Sequence, residues 1–186
     1  MKSTVFTLML GLGLTLAHTL AAQTSGFVGT FNAAKQSEPH IEQAIEKAVA
    51  EMNFVTRPIA RGRLKKTNPA YQRIRIGQEG AQISIQFDER KPVQMPADGS
   101  AIRWTREDGE VFDVSATHEG GALLQRFRAE DGERINRFSL SPDGAELTLD
   151  VTITSPRLPA PVKYTLTYQR QLDRMNPHRE FTGNER

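Results

Sequence analysis

The chain has 186 residues, with 24 Lys and Arg against 22 Asp and Glu, no cysteine, and 38% hydrophobic residues. This composition is typical of one globular domain and excludes a disordered tail, a disulfide-rich scaffold and a bundle of membrane helices. A formal charge of +2 is too small for a nucleic-acid-binding surface, so we expect no nucleic acid partner.

Residues 1–22 are typical of a secretory signal peptide. Lys2 gives the segment a positive start, residues 5–20 are mainly apolar, and a small pair ending at Ala22 follows. A membrane anchor is the alternative, but His18 and two glycines interrupt a run that is already short for a membrane span. We therefore expect cleavage near Ala22 and export to a periplasm or out of the cell.

The next segments predict a short strand over 26–32 and two helices, over 39–53 and 57–67. In the first helix apolar residues recur every three or four positions and form one face of an amphipathic helix. Ser37 is the expected N-cap, because its hydroxyl can accept a hydrogen bond from the first helical turn. Together these segments predict a helix-turn-helix between the first strand and the rest of the fold.

The second helix carries bases at positions i, i+4 and i+8, which share one face: Arg57, Arg61 and Lys65. One interpretation is a solvated face balanced by nearby acids. The other is a basic rim that contacts ligand carboxylates or, transiently, the head groups of an anionic membrane. The sequence leaves both open.

From position 71 onward, evenly spaced turns predict an antiparallel meander. Glycine accepts the positive φ that tight hairpins require, and from Gly99 to Gly144 the turn glycines are 10 to 12 residues apart. The runs between them alternate apolar and polar residues, as in residues 146–154 and 162–170. A sheet with one dry face can bury it by curling into a barrel, so we expect a mainly β barrel of about ten strands. Residues 171–186 lack this pattern and read as a flexible tail.

The order of strand, helix-turn-helix and nine further strands resembles the cytosolic fatty-acid-binding proteins, members of the calycin group that includes the lipocalins. The opening run Gly26-Phe27-Val28-Gly29-Thr30-Phe31 is similar to the family's Phe-x-Gly-Thr-Trp, with Phe31 in the place of the usual Trp. The closing run, residues 164–170, is similar to the family's last strand. The resemblance implies a calycin-like barrel over residues 23–170, with residues 37–67 as a helical lid.

The resemblance also implies an anchor for a ligand carboxylate. The family holds it with an Arg-x-Tyr pair on the last strand, where this chain has Leu166 and Tyr168. A second family arginine, on an earlier strand, is similar in position to Arg137. We therefore expect Arg137 and Tyr168 to provide polar anchoring inside the barrel. The other candidate lining residues are aromatic: Trp104, Phe112, Phe127 and Tyr164.

Residue types needed for other chemistries are scarce. After the signal segment the histidines are His40, His118 and His178, which are far apart in the predicted elements and form no metal-binding spacing. No Gly-x-Ser-x-Gly elbow is present, and the adjacent acids lie in predicted turns. We therefore predict no metal, no cofactor and no catalytic residue.

Three functions remain open at this point. The first is an exported, monomeric barrel that binds a small apolar or amphipathic ligand. The second is a filled barrel that acts as an interaction module of the cell envelope, which would have no internal cavity and an exposed apolar patch. The third is an enzyme, which lacks a readable set of catalytic residues.

Overall fold

The computed structural model describes residues 26–34 and 38–172, and the structural statements below concern these residues. They form two helices and ten strands, and the strands make one antiparallel sheet that curls into a nearly closed barrel. This confirms the predicted mainly β class, the strand number and the helix-turn-helix after the first strand. The predicted signal peptide, the expected N-cap Ser37 and most of the predicted tail lie outside the described residues.

The elements follow one another in the predicted order. They are β1 (Gly29–Ala33), α1 (Glu38–Val49), α2 (Thr56–Thr67), β2 (Arg73–Glu79), β3 (Gln82–Phe87), β4 (Val93–Pro96), β5 (Ile102–Thr105), β6 (Val111–Glu119), β7 (Ala122–Ala129), β8 (Gly132–Leu140), β9 (Glu146–Thr154) and β10 (Val162–Arg170). The order of strands across the sheet is β4-β3-β2-β1-β10-β9-β8-β7-β6-β5. Strands β4 and β5 are therefore the two edges, and they face each other across the gap in the barrel wall.

Tight turns set the register of the meander. Gly120 and Gly121 form the whole connection between β6 and β7, with φ of 56° and 76°, and Glu119 pairs with Ala122 across it. A two-residue turn with positive φ at both positions matches the right-handed twist of the flanking strands. This turn fixes which residues of β6 and β7 face the barrel interior.

Pairing between β1 and β10 joins the two halves of the meander, and Arg170 strengthens this joint. Its guanidinium lies 4.5 Å from the centre of the Phe31 ring and donates hydrogen bonds to the carbonyl oxygens of Val28 at 2.7 Å, Gly26 at 2.8 Å and Gly144 at 2.7 Å. One side chain thus holds the opening segment, the last strand and the β8–β9 turn together.

Helix α1 packs on the barrel through its apolar face. The buried residues on this face are Ile41, Ile45, Ala48 and Val49. The helix ends at Val49, four residues before the predicted end, so Met52 lies in the connection to α2. There Asn53 turns the chain, because its side-chain oxygen accepts hydrogen bonds from the backbone N–H of Val55 and Thr56.

Helix α2 buries none of its residues, and it is held to α1 by charged groups. Arg61 forms an ion pair with Glu46 at 2.6 Å, and Lys65 forms one with Glu42 at 2.8 Å. The two acids are four positions apart on α1, and the two bases are four positions apart on α2. The charged face of α2 therefore matches the charged face of α1 in sign and spacing.

Arg57 extends this contact at the start of α2, where its guanidinium donates to the backbone oxygen of Met52 at 2.7 Å. Cations interact favourably with carbonyls at or beyond a helix C-terminus. The expectation of a basic rim at these positions is therefore corrected. The bases that contact α1, and so do not face a ligand, are Arg57, Arg61 and Lys65.

We expect Arg170→Met to lower the free energy of unfolding by about 2 to 4 kcal/mol, since it removes charge-assisted hydrogen bonds and a cation–π contact. Urea denaturation measures this change. The matched control is Arg137→Gln on the outer face of β8, for which we expect a change within about 0.5 kcal/mol. Equal effects of the two substitutions would contradict the role of Arg170.

We also expect the backbone amides of α2 to exchange hydrogen faster than those of α1, since only α1 buries an apolar face. Glu46→Gln should increase exchange in α2 further, while Glu51→Gln, on an exposed residue after α1, should not. Hydrogen exchange with mass spectrometry checks this. If the amides of α2 were as protected as those of α1, and if Glu46→Gln did not change their protection, the ion pairs would not be what holds α2.

Candidate ligand-binding site

A cavity of about 980 Å³ opens at the end of the barrel next to α2. Residues on one side of α2, including Ile59, Arg63 and Leu64, line it from above. The turns at the same end of the barrel complete the rim. This volume lies at the upper end of the range of about 300 to 1,000 Å³ typical of small-molecule pockets.

The cavity occupies only one end of the interior. On β6 the inward-facing Phe112 lines the cavity and Val114 does not, and on β8 Asn136 lines it while Phe138 does not. Val114 and Phe138 are fully buried, as are most apolar residues nearer the other end. Packed side chains therefore fill the barrel beyond the level of Phe138, and the open space lies between this floor and α2.

Three aromatic side chains form one wall of the cavity. The ring centres lie 5.9 Å apart for Trp104 and Phe112, 5.7 Å for Trp104 and Phe127, and 6.0 Å for Phe112 and Phe127. These separations, with rings tilted or edge to face, are those that aromatic pairs prefer. We call Trp104, Phe112 and Phe127 the aromatic cluster. All three were named above as candidate lining residues, and all three line the cavity.

A group of polar side chains lies beside it, centred on Arg134 of β8. Its guanidinium donates to the side-chain oxygen of Asn136 at 2.8 Å, to that of Asn68 at 2.8 Å and to the hydroxyl of Tyr164 at 3.4 Å. The Tyr164 hydroxyl donates in turn to Asn68 at 3.0 Å. We call Arg134, Asn136, Asn68 and Tyr164 the polar cluster.

The charge of Arg134 is not neutralised inside this cluster. All three of its partners are uncharged, and within the described part of the chain Arg134 forms no ion pair. A partly buried cation without a counter-ion is costly, because burial removes water that would otherwise stabilise the charge. An anion placed against Arg134 from the cavity would relieve this cost.

Three further contacts fix the polar cluster. The Asn136 amide donates to the side-chain oxygen of Gln125 at 3.0 Å, and the Gln125 amide lies 3.7 Å from the sulfur of Met95 on β4. The Asn68 amide donates to the backbone oxygen of Leu64 at 2.9 Å, near the end of α2. Asn68 therefore links the lid helix to the arginine inside the barrel.

The two tyrosines on β10 remain neutral hydrogen-bonding groups. Burial raises the pKa of Tyr164, while the neighbouring Arg134 lowers it to a smaller extent. Burial also raises the pKa of Tyr168, well above the ordinary range, and its hydroxyl donates to the backbone oxygen of Tyr71 at 3.2 Å. Tyr168 is fully buried and does not line the cavity, so it is part of the core rather than an exposed anchor. Tyr164, expected to line the cavity, is also buried and does not line it; its hydroxyl instead contacts Arg134 and Asn68.

The predicted anchor Arg137 lies on the outer face of the barrel. Its neighbours Asn136 and Phe138 are buried, with 1% and 0% of their surface exposed. Because one of these faces the cavity and the other the core, and successive strand residues point to opposite faces, Arg137 points outward, where its register partner on β9 is Asp150. The inward arginine is Arg134, three residues earlier in the same run.

Charges around the mouth are partly paired. Arg106 forms ion pairs with Asp108 and Glu110, and its hydrogen bond to Asp108 holds the pKa of that carboxyl at about 2. By contrast, Arg63 and Lys66 of α2 line the cavity and form no ion pair with any described residue. The lining also contains Arg90 and Lys91, just after β3, which likewise form no ion pair with a described residue. These four bases, rather than those facing α1, give the rim its positive charge. The predicted contact with an anionic membrane surface stays a prediction.

No group of three or more metal-ligating side chains is found among the described residues. The cavity lining, taken over the same residues, contains no histidine. Neither described helix has the length and hydropathy needed to span a membrane. The arrangement can hold an anion and enclose an apolar body beside it.

No protein-family model matches the sequence, and no curated protein sequence does. Among solved structures, a secretory abundant heat soluble protein from Ramazzottius varieornatus superimposes with a TM-score of 0.56 at 10% identity, over 78% of this chain and 96% of that one. Fatty-acid-binding protein 1 from Echinococcus granulosus gives a TM-score of 0.52 at 14% identity, over 80% and 99%. The fatty acid transporter REP1-NXSQ gives 0.51 at 13% identity, over 80% and 98%.

These structures match the ten-stranded barrel almost over their whole length. At identities of 10% to 14% they establish the architecture of this chain and leave its ligand open. The chain therefore has the calycin-like barrel fold of the fatty-acid-binding proteins, as its opening and closing strands predict.

Proposed function

We propose that this protein is an exported carrier that binds one small amphipathic anion in the barrel cavity. The observation that carries the proposal is Arg134, a partly buried cation at the cavity wall whose partners are all neutral. The apolar part of a ligand fits in the space beside Arg134, and its negative group fits against the guanidinium. Charge-assisted hydrogen bonds of this kind are stronger than neutral ones.

The open cavity favours a carrier over the filled interaction module. A filled barrel would leave no space between its floor and its helices, whereas here about 980 Å³ remains. Some apolar surface is also exposed around the start of α2, where Phe54, just before the helix, is 87% exposed and Ile59, in its first half, is 62% exposed. Ile59 lines the cavity, so this surface fits a route for an amphipathic ligand as well as a contact with another molecule.

The names of two structural neighbours point to the same ligand class. One is called a fatty-acid-binding protein and the other a fatty acid transporter, and each shares the barrel with this chain. Architecture alone does not transfer function between proteins this different. The names therefore support the proposal only together with Arg134 and the unpaired bases Arg63 and Lys66, which would attract an anion to the mouth.

We expect Arg134→Gln to weaken the binding of an amphipathic anion about 10- to 100-fold, since a hydrogen bond to a charged group contributes about 1.5 to 3 kcal/mol. Titration with the fluorescent dye anilinonaphthalene sulfonate measures this. Arg137→Gln, a loss of the same charge on the outer face, is the matched control and should leave affinity unchanged. Equal weakening by both substitutions, or no saturable binding to the unaltered protein, would refute the proposal.

The proposed export is tested by expression of the full chain in a bacterium followed by fractionation. The segment 1–22 supports export through its charge and apolar run. We expect a periplasmic protein with the mass of residues 23–186, while a chain that lacks 1–22 should stay in the cytoplasm. A cytoplasmic protein of full-length mass would contradict export and leave the proposal about the cavity in place.

A further inference from the structure

We infer that the ligand is a compact aromatic anion, whose ring lies against the aromatic cluster while its negative group lies on Arg134. This inference rests on the proposed function and specifies the ligand class for the same cavity. Such a ligand differs from a straight acyl chain, which is long, flexible and free of rings. Three features of the interior carry the distinction.

The first feature is the shallow space below Arg134. Only one inward position of β8, Asn136, lies between Arg134 and Phe138 at the floor, so the cavity extends at most about 14 Å of strand below Arg134. An acyl chain longer than this space, with its carboxylate on Arg134, could not extend into the filled half. Its tail would have to turn back toward the mouth, among the charged side chains of the rim.

The second feature is the position of the aromatic cluster relative to the charge. Phe127 on β7 is the direct register partner of Arg134 on β8, and both line the cavity. Side chains that face each other on neighbouring strands have Cβ atoms about 5 Å apart. A negative group on Arg134 therefore lies next to the cluster, which fits a ligand whose charge is attached to its ring or close to it.

The third feature is a second aromatic pair across the gap in the barrel wall. The rings of Tyr71 and Phe87 lie 4.6 Å apart and both line the cavity. Sheet order places Phe87 on β3, on one side of the β4–β5 gap, and the aromatic cluster on the other side. The aromatic lining therefore continues on both sides of the gap, and a narrow acyl chain would leave part of this surface uncovered.

The test compares two acids that have the same number of carbon atoms and one carboxylate each, naphthoate and undecanoate. Isothermal titration calorimetry gives both affinities. We expect naphthoate to bind about tenfold more tightly, since an aromatic contact adds about 0.5 to 1.5 kcal/mol beyond area burial and two or more are available. Trp104 is the single tryptophan of the chain, so its indole N–H gives one NMR signal, which naphthoate should shift.

Variants separate the ring contact from the charge. Trp104→Leu should reduce the preference for naphthoate toward equal affinity, and Phe112→Leu is a second variant if the first fails to fold. Arg134→Gln should weaken both acids by a similar factor.

Undecanoate that binds as tightly as naphthoate, or more tightly, would overturn the inference and leave the proposed function standing. Failure of both acids to bind would overturn the inference and the proposed function together. Naphthoate that binds without a shift of the Trp104 signal would place the ring elsewhere and also overturn the inference.

Discussion

The pairing of β1 with β10 is the contact on which the rest of this structure depends. It joins β2–β4 to β5–β9 and so turns two separate meanders into one sheet that can curl into a barrel. The pairing is short, with three partner positions that include Phe31 with Arg170, and Arg170 reinforces it by binding three backbone carbonyls. A joint made largely of backbone contacts tolerates wide variation in sequence, in keeping with an architecture that is shared at 10% to 14% identity.

Closure of the barrel creates an interior that this sequence divides in two. Packed apolar side chains fill the half away from α2 and supply the stability that a chain without cysteine cannot take from disulfides. In the other half, β8 places Arg134 and Asn136 where apolar residues would otherwise continue the core. These polar residues lower the stability of the fold, because the partly buried charge of Arg134 has no counter-ion. Such losses of stability are typical of functional sites.

Alternation and turn chemistry make the hairpins of this fold predictable from sequence, but not the side of β8 that faces inward. Residues 146–154 keep all their apolar side chains on one face, whereas in β8 the apolar residues Ile135 and Phe138 fall on opposite faces. The family resemblance alone then named the inward arginine, and it gave Arg137 in place of Arg134, because β8 has no one-sided apolar pattern that fixes which of its faces is inward.

Helix α2 was equally ambiguous, since it buries no residue and so has no apolar stripe to orient it. A usable signal was present in the neighbouring helix: Glu42 and Glu46 repeat the four-residue spacing of Arg61 and Lys65.

Native mass spectrometry of protein purified from a bacterial periplasm without detergent tests most directly the central claim, that Arg134 holds an amphipathic anion in the cavity. We expect one stoichiometric adduct on the unaltered protein and its loss from Arg134→Gln. A bare polypeptide mass in both, unchanged after incubation with amphipathic anions, would contradict it.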